Sequence, residues 1–126
     1  MQEKKHLQLN DISAYKVAFN LSNFAWPLIA AWPAFNRDTV GKQFVRALDS
    51  ISANLAEGFG RYNKKDKINF YRYARGSVFE CLDWNEKCKV RHLISIEEYD
   101  QIYGVLQQLP KLINVLIKLT NNNLDN

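Results

Sequence analysis

Two histidines, two cysteines and two carboxylates set among small residues are where this 126-residue chain could do chemistry. A metal site or an activated nucleophile needs several such groups at fixed spacing. Cys81 and Cys88 are the only cysteines and lie seven apart in a segment of helical periodicity. Two turns of helix separate them by ~10 Å, too far for a disulfide. With His92 alone nearby, they also fall short of a four-ligand zinc site. They read as buried free thiols, which points to a reducing, cytoplasmic compartment. A di-iron bundle needs Glu-x-x-His on two helices, and the only copy is Glu3-Lys4-Lys5-His6 at the N-terminus. Helical RNases of the HEPN type carry Arg-x(4–6)-His, whereas Asn85, Glu86 and Lys87 stand at the corresponding distances before His92. Glu57 and Glu80 lack the second titratable group that general acid–base work requires. The expectation is a protein with no catalytic residues, no metal and no cofactor.

A different chemistry is written between Arg61 and Arg75. Arg61, Lys64, Lys65, Lys67, Arg72 and Arg75 face only Asp66, a local charge of +5 in a chain whose formal net charge is +4. Phe59, Tyr62, Phe70, Tyr71 and Tyr73 interleave with them. Cations suit phosphates and aromatic rings suit bases. These six cations are the candidate nucleic-acid contacts, with RNA or DNA as the partner. The competing reading is a solvated turn whose aromatics belong to the core.

Just before this run stands "SISANLAEGFGR", Ser50–Arg61. On a helical wheel Arg46, Ser50, Ala53 or Asn54, Glu57 and Arg61 share a face beside an apolar stripe. Small residues there allow close approach of another backbone, and Ala74, Gly76 and Ser77 offer a matching patch. Asn54 and Ser77 then need hydrogen-bond partners, because an orphaned buried polar group costs ~1–3 kcal/mol. Glu57 and Arg61, at i and i+4, can pair on the helix surface.

Four helices must position these residues. The first runs from Asp11 or Ser13 to Ala31, with one stripe of Ile12, Tyr15, Phe19, Trp26 and Ile29 and a neighbouring one of Ala14, Ala18, Leu21, Ala25 and Leu28. Pro27 is expected to kink or shorten it. Its twenty uncharged residues between Lys16 and Arg37 match a bilayer in length, but Asn20, Ser22, Asn23, Pro27 and Pro33 interrupt them. They read instead as a helix buried on more faces than a monomer would bury, which implies self-association. No apolar run follows the basic residues of "MQEKKHLQLND", so no signal peptide is expected.

The second helix spans Thr39–Phe59, with Asp38 or Thr39 as its cap and Phe44, Leu48, Ile51, Leu55 and Phe59 as its core. Gly58 and Gly60 are expected to end it in left-handed conformations. Asn63 with Asp66 caps a third helix, Lys64–Arg91, carrying Phe70, Ala74, Ser77, Cys81, Trp84 and Cys88 on one stripe. A capping box, Ser95-x-x-Glu98, opens the fourth, whose stripe is Tyr99, Ile102, Leu106, Leu109, Ile113 and Leu116. Pro110 is expected to bend it and "TNNNLDN" to fray. One all-α domain over residues 1–126 follows, an up-down-up-down four-helix bundle with short connections.

Two of these stretches match a known pattern. Arg46, Ala47, Ser50, Ile51, Asn54, Leu55, Ala56, Glu57, Gly58 and Arg61 fit Arg-Ala-x-x-Ser-Ile-x-x-Asn-(Ile/Leu)-Ala-Glu-Gly-x-x-Arg, and Ala74, Gly76, Ser77 and Glu80 fit Ala-x-Gly-Ser-x-x-Glu. With both in register, the chain resembles the bacterial four-helix-bundle family encoded by intervening sequences of 23S rRNA genes, over about Ile12 to Leu119. That family is related to the accessory variability proteins of diversity-generating retroelements. The resemblance implies a homopentameric barrel without enzymatic activity and, in the retroelement relatives, binding of a reverse transcriptase and of nucleic acid. It makes Arg46, Ser50, Asn54, Glu57, Gly58, Gly76, Ser77 and Glu80 the candidate packing or interface residues. A self-assembling scaffold with no nucleic-acid role is the alternative.

Overall fold

The computed structural model describes residues 7–123. A 3-10 turn, Leu9–Asp11, leads into helix α1 (Ser13–Ala30). After Trp32-Pro33 comes a short helix α2 (Ala34–Asn36), a π-helical turn over Arg37–Gly41, and helix α3 (Lys42–Gly60). Helices α4 (Lys64–Val90) and α5 (Ile96–Asn123) complete the chain. In sequence order α1, α3, α4 and α5 pack each against the next, and α5 returns to α1, which closes an all-α four-helix bundle.

Where sequence signals are local, the structure follows them. Asn63 Oδ1 accepts the backbone N–H of Asp66 at 2.9 Å. Ser95 and Glu98 exchange their capping bonds at 2.8 and 3.0 Å. Both remove orphan donors at helix starts, each worth about 1 kcal/mol.

The second long helix begins differently from the expectation. No cap forms at Asp38 or Thr39: Asp38 pairs with Arg37, and the Thr39 hydroxyl donates back to the Phe35 carbonyl at 2.6 Å. The helical path instead starts behind Pro33, whose missing N–H is harmless at a helix start, and Asn36, Arg37, Gly41 and Lys42 all keep right-handed helical angles. Gly41 is buried where a Cβ would come within 2.9 Å of Ile29 Cγ2, so only glycine lets this turn close on α1.

The end of α3 is also corrected. Neither Gly58 nor Gly60 adopts positive φ. The helix stops because Arg61 turns extended, at φ −75° and ψ 155°. The Lys67 ammonium, reaching back from α4, donates to the Phe59 carbonyl at 2.7 Å. The left-handed residue is His92, at φ 58°. There the N–H groups of His92 and Leu93 return to the carbonyls of Lys89 and Cys88, at 3.1 and 2.9 Å, closing α4 in a Schellman arrangement. A non-glycine residue in that region costs about 1–2 kcal/mol, partly offset by glycine's extra unfolded-state freedom of about 0.5–1 kcal/mol. His92→Gly is therefore expected to stabilise the fold by roughly 0.5–1 kcal/mol. It should read as a higher denaturation midpoint at unchanged slope, and a lower midpoint would contradict it.

The core includes Leu21, Ile29, Trp32, Phe44, Leu48, Ile51, Leu55, Tyr71, Val78, Ile102, Leu106, Leu109 and Ile113, together with Ile12, both cysteines and alanines from α1, α3 and α4. Burying each large side chain stabilises by roughly 1.5–3 kcal/mol. Both α1 stripes contribute to the core: Ala14, Ala18, Leu21 and Ala25 of one are buried together with Ile12 and Ile29 of the other, while Tyr15 and Leu28 are half-buried and Phe19 and Trp26 remain on the surface. The α4 stripe is rotated: Tyr71, Val78 and Asn85 join Ala74, Cys81 and Cys88 inside, whereas Phe70, Ser77 and Trp84 sit half-buried at its margin. Pro27 and Pro110 both lie within helices that continue past them, and α5 extends through Thr120–Asn123 instead of fraying at Thr120. Glu3 and His6 lie outside the described residues. No described helix is long and apolar enough to cross a membrane.

Candidate nucleic-acid interface

The two sequence-matched stretches meet across α3 and α4. Arg46 Nη2 lies 3.2 Å from Glu80 Oε2, which also accepts from Trp84 Nε1 at 3.4 Å. Gln43 Oε1 accepts from the same guanidinium at 3.3 Å. One turn further along, the Ser50 and Ser77 hydroxyls are 2.7 Å apart. Each is also within reach of a carbonyl of its own helix, Ala47 for Ser50 and Tyr73 for Ser77. Two protons cannot serve three contacts, so one hydroxyl closes on its own backbone while the other bridges the helices. Asn54 Nδ2 donates to the Ser50 carbonyl at 2.8 Å, and Glu57 pairs with Arg61 at 2.6 Å.

Gly58 lies where this seam is tightest, under the Tyr71 ring. Gly76 is different: it is exposed, and a Cβ there would meet nothing within 4 Å. It takes no part in packing within the chain.

These polar groups satisfy one another. The cysteines are equally unavailable for nucleophilic chemistry, because burial pushes the Cys81 thiol far above its ordinary range and Cys88 up to about 12. Thiols so protonated at neutral pH do not attack. Among the described residues no three histidine, cysteine or carboxylate groups converge as metal ligands.

The six cations divide into two sets. Lys67 is a helix cap, its Nζ also 5.5 Å from the Phe59 ring, and burial lowers its pKa. Arg61 pairs with Glu57 and lies 4.7 Å above the Phe70 ring. Arg75 donates to the Asn114 side chain on α5. Glu80 and Asp83, the next carboxylates along α4, are taken by Arg46 and Lys87. Lys64, Lys65 and Arg72 form the other set, making no ion pair among the described residues. Together with Ile68, Asn69 and Asn121 of α5 they line a shallow cleft of about 300 Å³ at the end of the bundle. The N-terminal end of α4 adds its partial positive charge there. Asp66, the acidic residue of this run, is held by Asn63 Nδ2 at 3.2 Å and points about a third of a turn away from Lys65.

Sequence reasoning missed two groups. Asn85 is wholly buried with its Oδ1 unpartnered, a polar residue inside an apolar stripe that gives no periodic signal. The Tyr99 hydroxyl donates to Glu86, and that bond raises its pKa to about 12.

The fold and its paired α3–α4 seam define a class, the small all-helical bundle proteins. Within that class the chain belongs to the 23S rRNA-intervening sequence protein family, whose model matches residues 10–115. A crystal structure of a protein of unknown function from Bacteroides thetaiotaomicron, placed in the S23 ribosomal protein family, superposes with a TM-score of 0.78. It is 21% identical and covers 88% of this chain and 99% of its own. That likeness establishes the shared fold. No curated protein matches the sequence.

Proposed function

We propose that this protein is a non-enzymatic, oligomeric nucleic-acid-binding bundle whose contact surface is the cationic end formed by Lys64, Lys65 and Arg72. The observation that carries this reading is the division of the cations: three are consumed by the fold, while three line one cleft without a carboxylate partner among the described residues. Uncompensated cations gathered in one place repel one another, and a polyanion relieves that repulsion. A reverse transcriptase or another nucleic-acid enzyme is the protein partner that such a surface would serve.

Self-association, as a pentamer by family likeness, rests on a second observation. Phe19 and Trp26 stand two turns apart on the outer face of α1, the latter 58% exposed, and Phe35, beside Arg91 and Leu93, is a separate exposed ring at 78%. Large exposed aromatics favour another apolar surface over water. This same feature supports the scaffold alternative, in which the protein assembles and binds no nucleic acid.

The test is fluorescence anisotropy against salt, with sedimentation in the same buffer to count subunits. Wild type should bind single-stranded oligonucleotides with log K falling linearly with log[salt]. The Lys64→Ala/Lys65→Ala/Arg72→Ala variant should bind more weakly and lose about two from the slope for each subunit in contact. It should sediment as wild type does. An unchanged slope would move the surface elsewhere, and an oligomer without binding at ~50 mM salt would favour the scaffold.

A further inference from the structure

One side chain at the cationic end is explained neither by the fold nor by charge. Tyr62 stands in the turn between α3 and α4, 98% exposed, two residues before Lys64. It has no hydrogen-bond partner among the described residues. The turn itself needs no aromatic there: Arg61 supplies the extended backbone, Asn63 the cap of α4, and Lys67 the cap of α3. Of the other rings of the run only Tyr73 is also exposed, at 58%, and it packs on a neighbouring ring. Tyr71 is 2% exposed in the core. Phe59 and Phe70 are half-buried beneath Lys67 and Arg61, and Tyr73 rests edge-on against Phe70 at 5.5 Å.

From this we infer that Tyr62 is a base-stacking platform, which makes the cationic end select single-stranded over duplex nucleic acid. The inference rests on the nucleic-acid reading above. Lys65 lies three positions after Tyr62, so their Cα atoms lie within about 11 Å. That spacing is short enough for one strand to meet both the ring and the cations. Asn69 and Asn121, at the same cleft, add amide donors and acceptors. A ring on a convex tip reaches a base face only when that base is unstacked, as in a single strand, since a duplex hides its base faces in the stack. The platform is sequence-tolerant, because every base presents a π face.

The experiment uses the full chain and four labelled or competing probes: an oligonucleotide of about 20 residues as single-stranded RNA, as single-stranded DNA and as a duplex, and heparin as a polyanion without bases. Tyr62→Ala is expected to weaken single-strand binding roughly 5- to 150-fold while leaving duplex and heparin binding unchanged. Tyr62→Phe, which keeps the ring, should retain wild-type affinity. The Lys64→Ala/Lys65→Ala/Arg72→Ala variant should weaken all four probes together. Thermal melts of the Tyr62 variants should coincide with wild type, given the exposure of the side chain. Wild-type single-strand affinity in Tyr62→Ala, alongside loss in the triple variant, would overturn the stacking role and leave nucleic-acid binding standing. Equal losses across all four probes on Tyr62→Ala would overturn it as well. Failure of wild type to bind any oligonucleotide would overturn both readings.

Discussion

A chain carrying Gly58→Leu is expected not to fold into a stable bundle. An ideal Cβ at position 58 would lie 2.7 and 2.9 Å from two carbons of the Tyr71 ring and 3.0 Å from the Lys67 carbonyl oxygen. Neither obstacle is a flexible tip. The ring is buried, and the carbonyl belongs to the first turns of α4. For Gly58→Ala, overpacking near the upper end of its usual 1–3 kcal/mol outweighs the ~1 kcal/mol that alanine gains in a helix. A net loss of about 2 kcal/mol, or roughly 10 °C in melting temperature, is expected. Leucine adds three more heavy atoms to the same space, against a total stability of roughly 5–15 kcal/mol. Circular dichroism melts would check both, with Gly76→Ala as the contrast. Nothing approaches a Cβ at Gly76 within 4 Å, so that variant should gain up to ~1 kcal/mol. A Gly58→Leu protein melting within a few degrees of wild type would show that α3 and α4 are not in the contact described.

The second large effect is expected at Asn85. Its amide donates one bond, at 3.3 Å to the Tyr99 carbonyl, and its Oδ1 accepts none. Asn85→Asp places a carboxyl of the same size in that wholly buried position. Desolvation would raise its folded pKa well above the unfolded value of about 3.9. The sign then follows from linkage. The variant is least perturbed below pH ~4, where the carboxyl is protonated in both states, and loses about 1.4 kcal/mol per pH unit above that until the folded group ionises. At pH 7 the loss is bounded at about 4 kcal/mol, since a buried carboxyl that stays protonated costs only the protons the unfolded chain releases. Urea denaturation at pH 4 and pH 7 measures this difference directly. Equal stability at the two pH values, relative to wild type, would mean that water reaches the site. Asn85→Leu removes the orphan acceptor and should be neutral to stabilising.

What could be read from sequence follows the range of the interaction. The caps at Asn63 and at Ser95–Glu98 lie within one turn of the residues they serve, and the structure places them as read. Four helices were legible because their apolar periods run unbroken over many turns. The orientation of α1 was not. Its two stripes are near-equal candidates, and packing on α3 and α5 buries the alanines of one with the isoleucines of the other and leaves Phe19 and Trp26 outside. The caps expected of Gly58 and Gly60 failed for a related reason: Gly58 answers to a ring thirteen residues away, and the helix end is held by Lys67. The same bond divides the candidate site. A run of cations shows in the sequence, but their partners, a carbonyl on the preceding helix for Lys67 and an amide on α5 for Arg75, are tertiary. Composition therefore gives the sign of the surface, and only the fold says which charges remain to act.

The π-helical turn at Arg37–Gly41 carries a consequence for how this chain can vary in length. A π-turn closes its hydrogen bonds one residue later than an α-turn, so it stores a single extra residue without interrupting the helix. Phe44, Leu48 and Ile51 are fixed against the core from the α3 side, and Ile29 and Trp32 from the α1 side. The surplus residue between them is taken up by exposed Arg37, Asp38 and Thr39. Loss of one of these three would turn the segment into ordinary α-helix and swing Ala34–Asn36 by about 100° around its axis, with no core side chain on α3 changing place. Deletion of Asp38 is thus expected to leave the core of α3 in place, and a denaturation midpoint far below wild type would contradict it. The aromatic that such a deletion would re-aim is Phe35, which lies beside Arg91 and Leu93.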